Sequence, residues 1–229
     1  MNKKIIYFIF TFIFILSIQI YFQKKKSNKD KDYKEKLEII KKSIEEDGKN
    51  FVPPKKLLVI QNELKFLFNE LLNICNKHNI EYWANGGTLL GCIRHQDIIP
   101  WDDDIDICMT TESINKLKQA ISDDSLTRKN LKIAYNDFIY RFEKNDGSGI
   151  YIDIFEMEKN GDNYDFNLKF NRDRFKSTGK ISIKELYPLK NSKFGNLIVK
   201  IPNSSNPILS RSFEDWKRFK FYPPHHKYF

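Results

Sequence analysis

Segments of helical period interleaved with segments of strand period predict an α+β domain: a mixed sheet with flanking helices, preceded by one N-terminal transmembrane helix. Three observations carry this. Residues Ile5 to Phe22 are almost wholly apolar, broken only by Thr11, Ser17 and Gln19. Leu57, Ile60, Leu64, Leu67, Phe68, Leu71, Leu72 and Cys75 recur at the spacing of one helix face. Ile105–Met109 and Ile150–Phe155 alternate or run apolar in the manner of strands.

Taken in order, the first segment is long enough to span roughly 27 Å at the helical rise, close to the apolar thickness of a thin bilayer. A cleaved signal peptide is the rival reading, but Ile20-Tyr21-Phe22-Gln23 offers no small-residue cleavage site. Residues 1–23 are therefore expected to be an uncleaved membrane anchor. Residues 24–52 follow as a charged stalk, with a short helix around Tyr33–Ile44. Pro53-Pro54 opens the globular domain, 53–229. Lys56–His78 is an amphipathic helix whose apolar stripe is core. Glu81–Ala84 is a short strand, Asn85-Gly86-Gly87 a turn, and Thr88–Ile93 a helix behind it. Thr111–Ile121 is a helix capped by Thr110 or Thr111. Leu131–Tyr135 and Phe138–Glu143 pair as strands about Asn136-Asp137. Asn160–Ser177 is polar and aromatic and reads as a loop. Phe194–Ile201 is a strand ended by Pro202.

The net charge of +9 resembles a nucleic-acid signal, but seven of the lysines lie between Lys24 and Lys36. A basic run beside an apolar segment is a headgroup contact or a solvated face more often than a nucleic-acid patch. No nucleic-acid partner is expected. Cys75, Cys92 and Cys108 have neither disulfide-framework nor zinc spacing, and are read as small buried hydrophobes.

The chemistry concentrates in Glu81–Ile107, which holds Gly86-Gly87, Arg94-His95 and the acids Asp102, Asp103, Asp104 and Asp106. In a regular strand Asp104 and Asp106 share one face while Ile105 and Ile107 enter the core. Like charges on one face repel, and suit a hard cation such as Mg²⁺ or Mn²⁺. Asp153, between Ile152 and Ile154, is costly on an apolar strand unless paired or metal-bound. It is the natural third ligand. Backbone N–H groups of a Gly-Gly turn before a helix can hold phosphate.

A Gly-Gly turn, then Asp-apolar-Asp-apolar, then a later apolar-Asp-apolar resembles the nucleotidyltransferase superfamily pattern. Gly86-Gly-Thr-Leu-Leu-Gly-Cys-Ile-Arg-His95 with Ile99-Pro-Trp-Asp-Asp-Asp-Ile-Asp-Ile107 narrows this, and looks like the signature of the LicD family, which includes bacterial phosphocholine transferases and fukutin-related proteins. Tyr151–Phe155, Leu186–Lys190, Phe194-Gly195, Ile201–Asn203, Asp215-Trp216 and Pro223-Pro224 are similar too, so the resemblance covers roughly residues 60–229. Ser212-Phe213-Glu214 and Phe155-Glu156 depart from the family's usual Tyr-Gly and Phe-Pro.

The resemblance implies a nucleotidyltransferase-like fold and a metal-dependent phosphotransferase. It would move a phosphocholine- or ribitol-phosphate-type group from a CDP-linked donor to a glycan or glycoconjugate acceptor. Asp104, Asp106 and Asp153 are then the catalytic and metal-binding residues, with Asp153 either third ligand or base. Gly86, Gly87, Thr88, Arg94, His95 and Trp101 are the donor and phosphate residues. Each of the last three carries a structural alternative: for Arg94 an ion pair with Asp97 or Asp102, for His95 a turn role, for Trp101 packing instead of stacking on cytosine. One of Asp102 and Asp103 is expected to support the site or cap, the other to be solvated, and His225-His226 to be solvated. Glycan acceptors place the domain in the Golgi or ER lumen as a single-pass type II protein, with Asn203-Ser-Ser a candidate sequon. The lysines after residue 23 oppose that orientation. The functional alternatives are a non-catalytic glycan-binding or accessory subunit and a nucleic-acid nucleotidyltransferase.

Overall fold

The computed structural model describes residues 3–48, 50–136, 138–169, 171–173 and 179–221, and the side chains of residues 3–22 and 28 lie outside that description. The Pro223-Pro224 and His225-His226 readings fall outside it as well.

Helix α1 (Lys3–Asp47) is one element of 45 residues, far longer than the Tyr33–Ile44 helix expected. Among the described residues, no helix is long and apolar enough to cross a membrane. This corrects the expected transmembrane helix over residues 5–22 and the single-pass type II Golgi or ER placement built on it. The apolar run is not a self-contained element. The same helix continues through Lys24–Lys26, Lys29 and Lys31, and its far end joins the body, where Ile44 is fully buried. Gly48 comes so close to Phe219 that an added Cβ would lie 2.7 Å from its ring.

Helix α2 (Lys55–Lys77) starts after Pro54 and buries Leu57, Leu64, Leu67, Phe68, Leu71, Leu72 and Cys75, the face its apolar period marks. Removing each such side chain from water contributes about 1.5–3 kcal/mol. Beyond it come β1 (Trp83–Ala84), α3 (Gly86–Leu90) and a π-helical turn, Gly91–His95. The main sheet is completed by β2 (Asp106–Thr110), β3 (Leu131–Tyr135), β4 (Tyr140–Lys144) and β5 (Tyr151–Asn160). Its order is β1-β2-β5-β4-β3, with β2 and β5 parallel and the other pairs antiparallel, so the sheet is mixed. Helix α4 (Thr111–Asp123) follows β2 directly. Thr110 is its cap, and its hydroxyl oxygen accepts from the Ser113 amide at 3.2 Å.

One sheet face is covered by α2 and α4. Ile105, Ile107, Ile152, Ile154 and Phe142 are all fully buried. The polar stretch after Asn160 is not wholly loop: β6 (Asn163–Phe166) folds back on β5, and β7 (Ile181–Ser182) pairs with β6. The expected single strand Phe194–Ile201 is a hairpin of β8 (Lys190–Phe194) and β9 (Leu197–Ile201). Gly195, at φ 64°, makes the reversal that an apolar-run reading passes over.

Candidate active site

The acids are assembled by the parallel pairing of β2 with β5. Asp106 stands opposite Asp153 in that ladder, and Arg141 of β4 stands opposite Asp153 on its other side. Cross-strand partners share a sheet face, so the three side chains form one row. Strand β2 begins at Asp106, so Asp104 lies in the irregular segment before it, not within a strand. Burial still alternates there: Asp102, Asp104 and Asp106 are half-buried, while Asp103 and Ile105 are buried.

Helix α3 meets these acids edge-on. A Cβ on Gly86 would sit 3.0 Å from Asp106 Oδ2, and one on Gly87 would sit 2.7 Å from Asp102 Oδ2. The glycines thus let two carboxylates approach the main chain, and Gly86 also adopts a φ of 50°, where a Cβ is strained. Thr88 is buried, and its Oγ1 accepts from the Asp106 amide at 2.8 Å. It fixes the start of β2.

Sequence reasoning missed Gln61. This buried side chain of α2 donates through Nε2 to the carbonyls of Ile99 (3.2 Å), Pro100 (3.2 Å) and Asp102 (2.8 Å). It holds the loop that carries the acids. A signal existed: Gln61 is four residues from Leu57 and three from Leu64, on the core face of the helix.

The electrostatics follow from crowding. Burial and the neighbouring charges of Asp104 and Asp103 hold the Asp102 carboxyl well above the usual carboxylate range. Burial and then Asp104, Asp153 and Asp102 do the same to Asp106. Each ionised carboxylate here raises the cost of the next. One ligand oxygen from each of Asp102, Asp103 and Asp104 lies within 4.8 Å of the others. An all-carboxylate donor set of this kind fits a hard, oxygen-seeking divalent cation. Asp104 is common to this group and to the expected trio of Asp104, Asp106 and Asp153. Asp103, expected to be ambiguous, is only 7% exposed.

The signature residues just upstream have a different setting. Trp101 is 2% exposed and packs edge-on against Phe51, His95 and Phe219, at 5.9, 5.6 and 6.3 Å between centroids. Arg94 Nη1 donates to the carbonyls of Trp216 (2.8 Å) and Arg218 (2.7 Å), and its guanidinium lies 5.4 Å from the Phe219 ring. Asp97 is paired with Lys65 at 3.3 Å. The His95 Nε2 is enclosed with no hydrogen-bond partner among the described residues. Burial first, then the Arg94 charge, lower the imidazole to about 4. Arg94, His95 and Trp101, expected at the donor site, here lie together against one segment. Their side chains grip the segment 216–219, because aromatic surface and main-chain carbonyls enclose them there.

The cysteines are buried as read. Desolvation raises Cys75 and Cys92 to about 12, leaving them as neutral thiols.

Comparison with known proteins matches the sequence that builds this site to a family. A model described as LicD/FKTN/FKRP, nucleotidyltransferase domain, matches residues 79–204, a span holding α3, all four clustered acids and Asp153. An uncharacterized protein of Rickettsia prowazekii is 32% identical over 160 residues, covering 69% of this chain and 57% of its own length. The lipopolysaccharide cholinephosphotransferase LicD of Haemophilus influenzae is 56% identical over 36 residues, 16% of this chain and 14% of that one. The human ribitol 5-phosphate transferase FKRP is 32% identical over 69 residues, 30% of this chain and 13% of that one. The chain spans about half the length of the rickettsial relatives it matches. With more than half of its residues matched by the family model, the chain belongs to the LicD/FKTN/FKRP nucleotidyltransferase-domain family.

Proposed function

We propose that the protein is a metal-dependent phosphotransferase that moves a phosphate-linked group from a CDP-linked donor to a glycan or glycoconjugate acceptor. The observation that carries this is the crowding of Asp102, Asp104 and Asp153 around Asp106, with Asp106 and Asp102 close against Gly86 and Gly87. Carboxylates crowded enough to raise the proton affinity of Asp102 and Asp106 are a poor structural choice, and a good cradle for a cation and the phosphates it accompanies. Named relatives are a cholinephosphotransferase and a ribitol 5-phosphate transferase, which favours this substrate class.

In this reading Asp104, Asp106 and Asp153 would hold Mg²⁺ or Mn²⁺, with Asp102 beside them. A bound divalent cation supplies charge neutralisation for the donor diphosphate and for the departing nucleotide. The chain's own residues do the rest. Gly86 and Gly87 admit the phosphates close to the backbone, and Thr88 and Gln61 keep the acids in register. A carboxylate of the cluster, Asp153 in our assignment, takes the proton of the acceptor hydroxyl as that oxygen attacks. The acceptor O–P bond forms to the distal phosphorus of the donor, its bond to the bridging oxygen breaks, and CMP leaves.

The test is CMP release from a panel of CDP-linked donors in the presence of Mn²⁺. Turnover of at least one donor that disappears in Asp106→Asn supports the reading. Full turnover by Asp106→Asn would sink the site assignment.

A further inference from the structure

Arg141 was not marked by any pattern in the sequence, yet β4 places it against the acids. Its Nε donates to Asp153 Oδ1 at 3.2 Å, and its guanidinium lies 3.9 Å from the centre of the Tyr151 ring. Tyr151 and Asp153 are two residues apart on β5, so ring, carboxylate and guanidinium share one sheet face. The Arg141 side chain keeps 31% of its surface in solvent, against 19% for Asp153.

If Arg141 served only to neutralise Asp153, the strong geometry would be a two-point fork-to-carboxylate pair. The contact instead uses the inner nitrogen alone. Among the described residues, no hydrogen bond uses Nη1 or Nη2. Stacking on Tyr151 fixes the guanidinium plane, so four N–H groups are held in a set direction beside the carboxylates. Planar pre-orientation of this kind matches phosphate oxygens, and a lysine at the same place would lack it.

We propose that Arg141, stacked on Tyr151 and tethered to Asp153, binds a phosphate oxygen of the donor diphosphate through its terminal nitrogens. This rests on the phosphotransferase reading above, and assigns to Arg141 the phosphate role that the sequence suggested for Arg94.

The experiment is calorimetric titration of the full chain with Mn²⁺, then of the Mn²⁺-loaded protein with pyrophosphate, CDP and cytidine. It compares wild type with Arg141→Gln and Arg141→Lys, and thermal melting checks that each variant is folded. Both variants are expected to lose roughly tenfold to a hundredfold in pyrophosphate and CDP affinity, as for loss of charged hydrogen bonds, with cytidine and Mn²⁺ affinities held within about threefold. Arg141→Lys keeps the charge, so its loss reads the fork geometry. Wild-type pyrophosphate and CDP affinity in both variants overturns the proposal. A parallel loss of Mn²⁺ affinity overturns it too, since Arg141 would then merely position Asp153. Arg141-dependent pyrophosphate binding without any CDP binding supports the proposal and removes the CDP-linked donor reading. CDP binding that ignores Arg141 does the reverse, and a wild-type protein that binds neither phosphate ligand overturns both.

Discussion

Asp102–Asp106 and Arg94–Trp101 are neighbours in the chain, yet they occupy opposite physical regimes. The acids crowd together, Asp103 buried and the others half-buried, and their neighbours' charges raise the proton affinity of Asp102 and Asp106. Arg94, His95 and Trp101 are enclosed by Phe51 and Phe219 and by the carbonyls of Trp216 and Arg218. The first region is held in a repulsive arrangement by its surroundings: Gln61 on the loop, Thr88 on the strand, glycines at van der Waals distance. The second is held by its own contacts. A single stretch of signature residues thus divides into a crowded acidic part, to which we assign the chemistry, and a part packed against the segment 216–219.

That division is breakable by mutation. The largest effect is expected at Asp106. Asp106→Asn should lower CMP release by roughly a thousandfold, as loss of a principal electrostatic group does. The melting temperature without metal should stay level or rise, since a crowded like charge is removed. A fall in both quantities would place Asp106 with the structural residues. Next is Trp101→Ala, which should cost about 3–5 kcal/mol of stability, the usual penalty for truncating a buried tryptophan. Denaturant unfolding measures it. The folded fraction should bind Mn²⁺ like wild type, and selective loss of nucleotide binding would place Trp101 in the donor site.

His95 comes third. Its folded value near 4 lies below the ordinary histidine value, so between those two values the unfolded chain binds more protons. Its contribution is therefore fully present above about pH 6.5, is lost as pH falls toward about 4, and changes no further below that. The loss should be about 1–3 kcal/mol, discounted for partial exposure. His95→Gln should flatten the stability curve in that window, and an unchanged slope would show the imidazole is not what titrates. The smallest effect is at the α4 cap, remote from the contrast: Thr110→Ala should cost about 1 kcal/mol in denaturant unfolding, with CMP release nearly unchanged.

The legible parts of the fold were those with long local period. The α2 stripe reads directly as a buried face, and β2 and β5 are found where apolar runs place them. The less legible parts depend on single residues. Gly195 splits one apolar run into a hairpin, and the lysines after Gln23 continue a helix that the apolar segment suggested would end. At the site, the carboxylates drew notice because an acid on an apolar strand needs an explanation, and for Asp153 the structure supplies Arg141 as a partner. Donor roles for Arg94, His95 and Trp101 were implied by the family resemblance, and a motif says little about which way a side chain faces.

By itself, the sequence determined the inventory: an apolar helix face, two strands bearing acids, two glycines ahead of them, and a block specific enough to name a family. Those follow from local period and residue chemistry, which a linear chain displays. The tertiary structure decided which acids face one another, because only the β2–β5 register sets Asp106 beside Asp153. It also brought Arg141 to Asp153 through the β4–β5 ladder and carried Arg94 to carbonyls at residues 216 and 218. Such contacts join residues far apart in the chain, and their geometry is fixed by strand pairing and packing that no local pattern encodes.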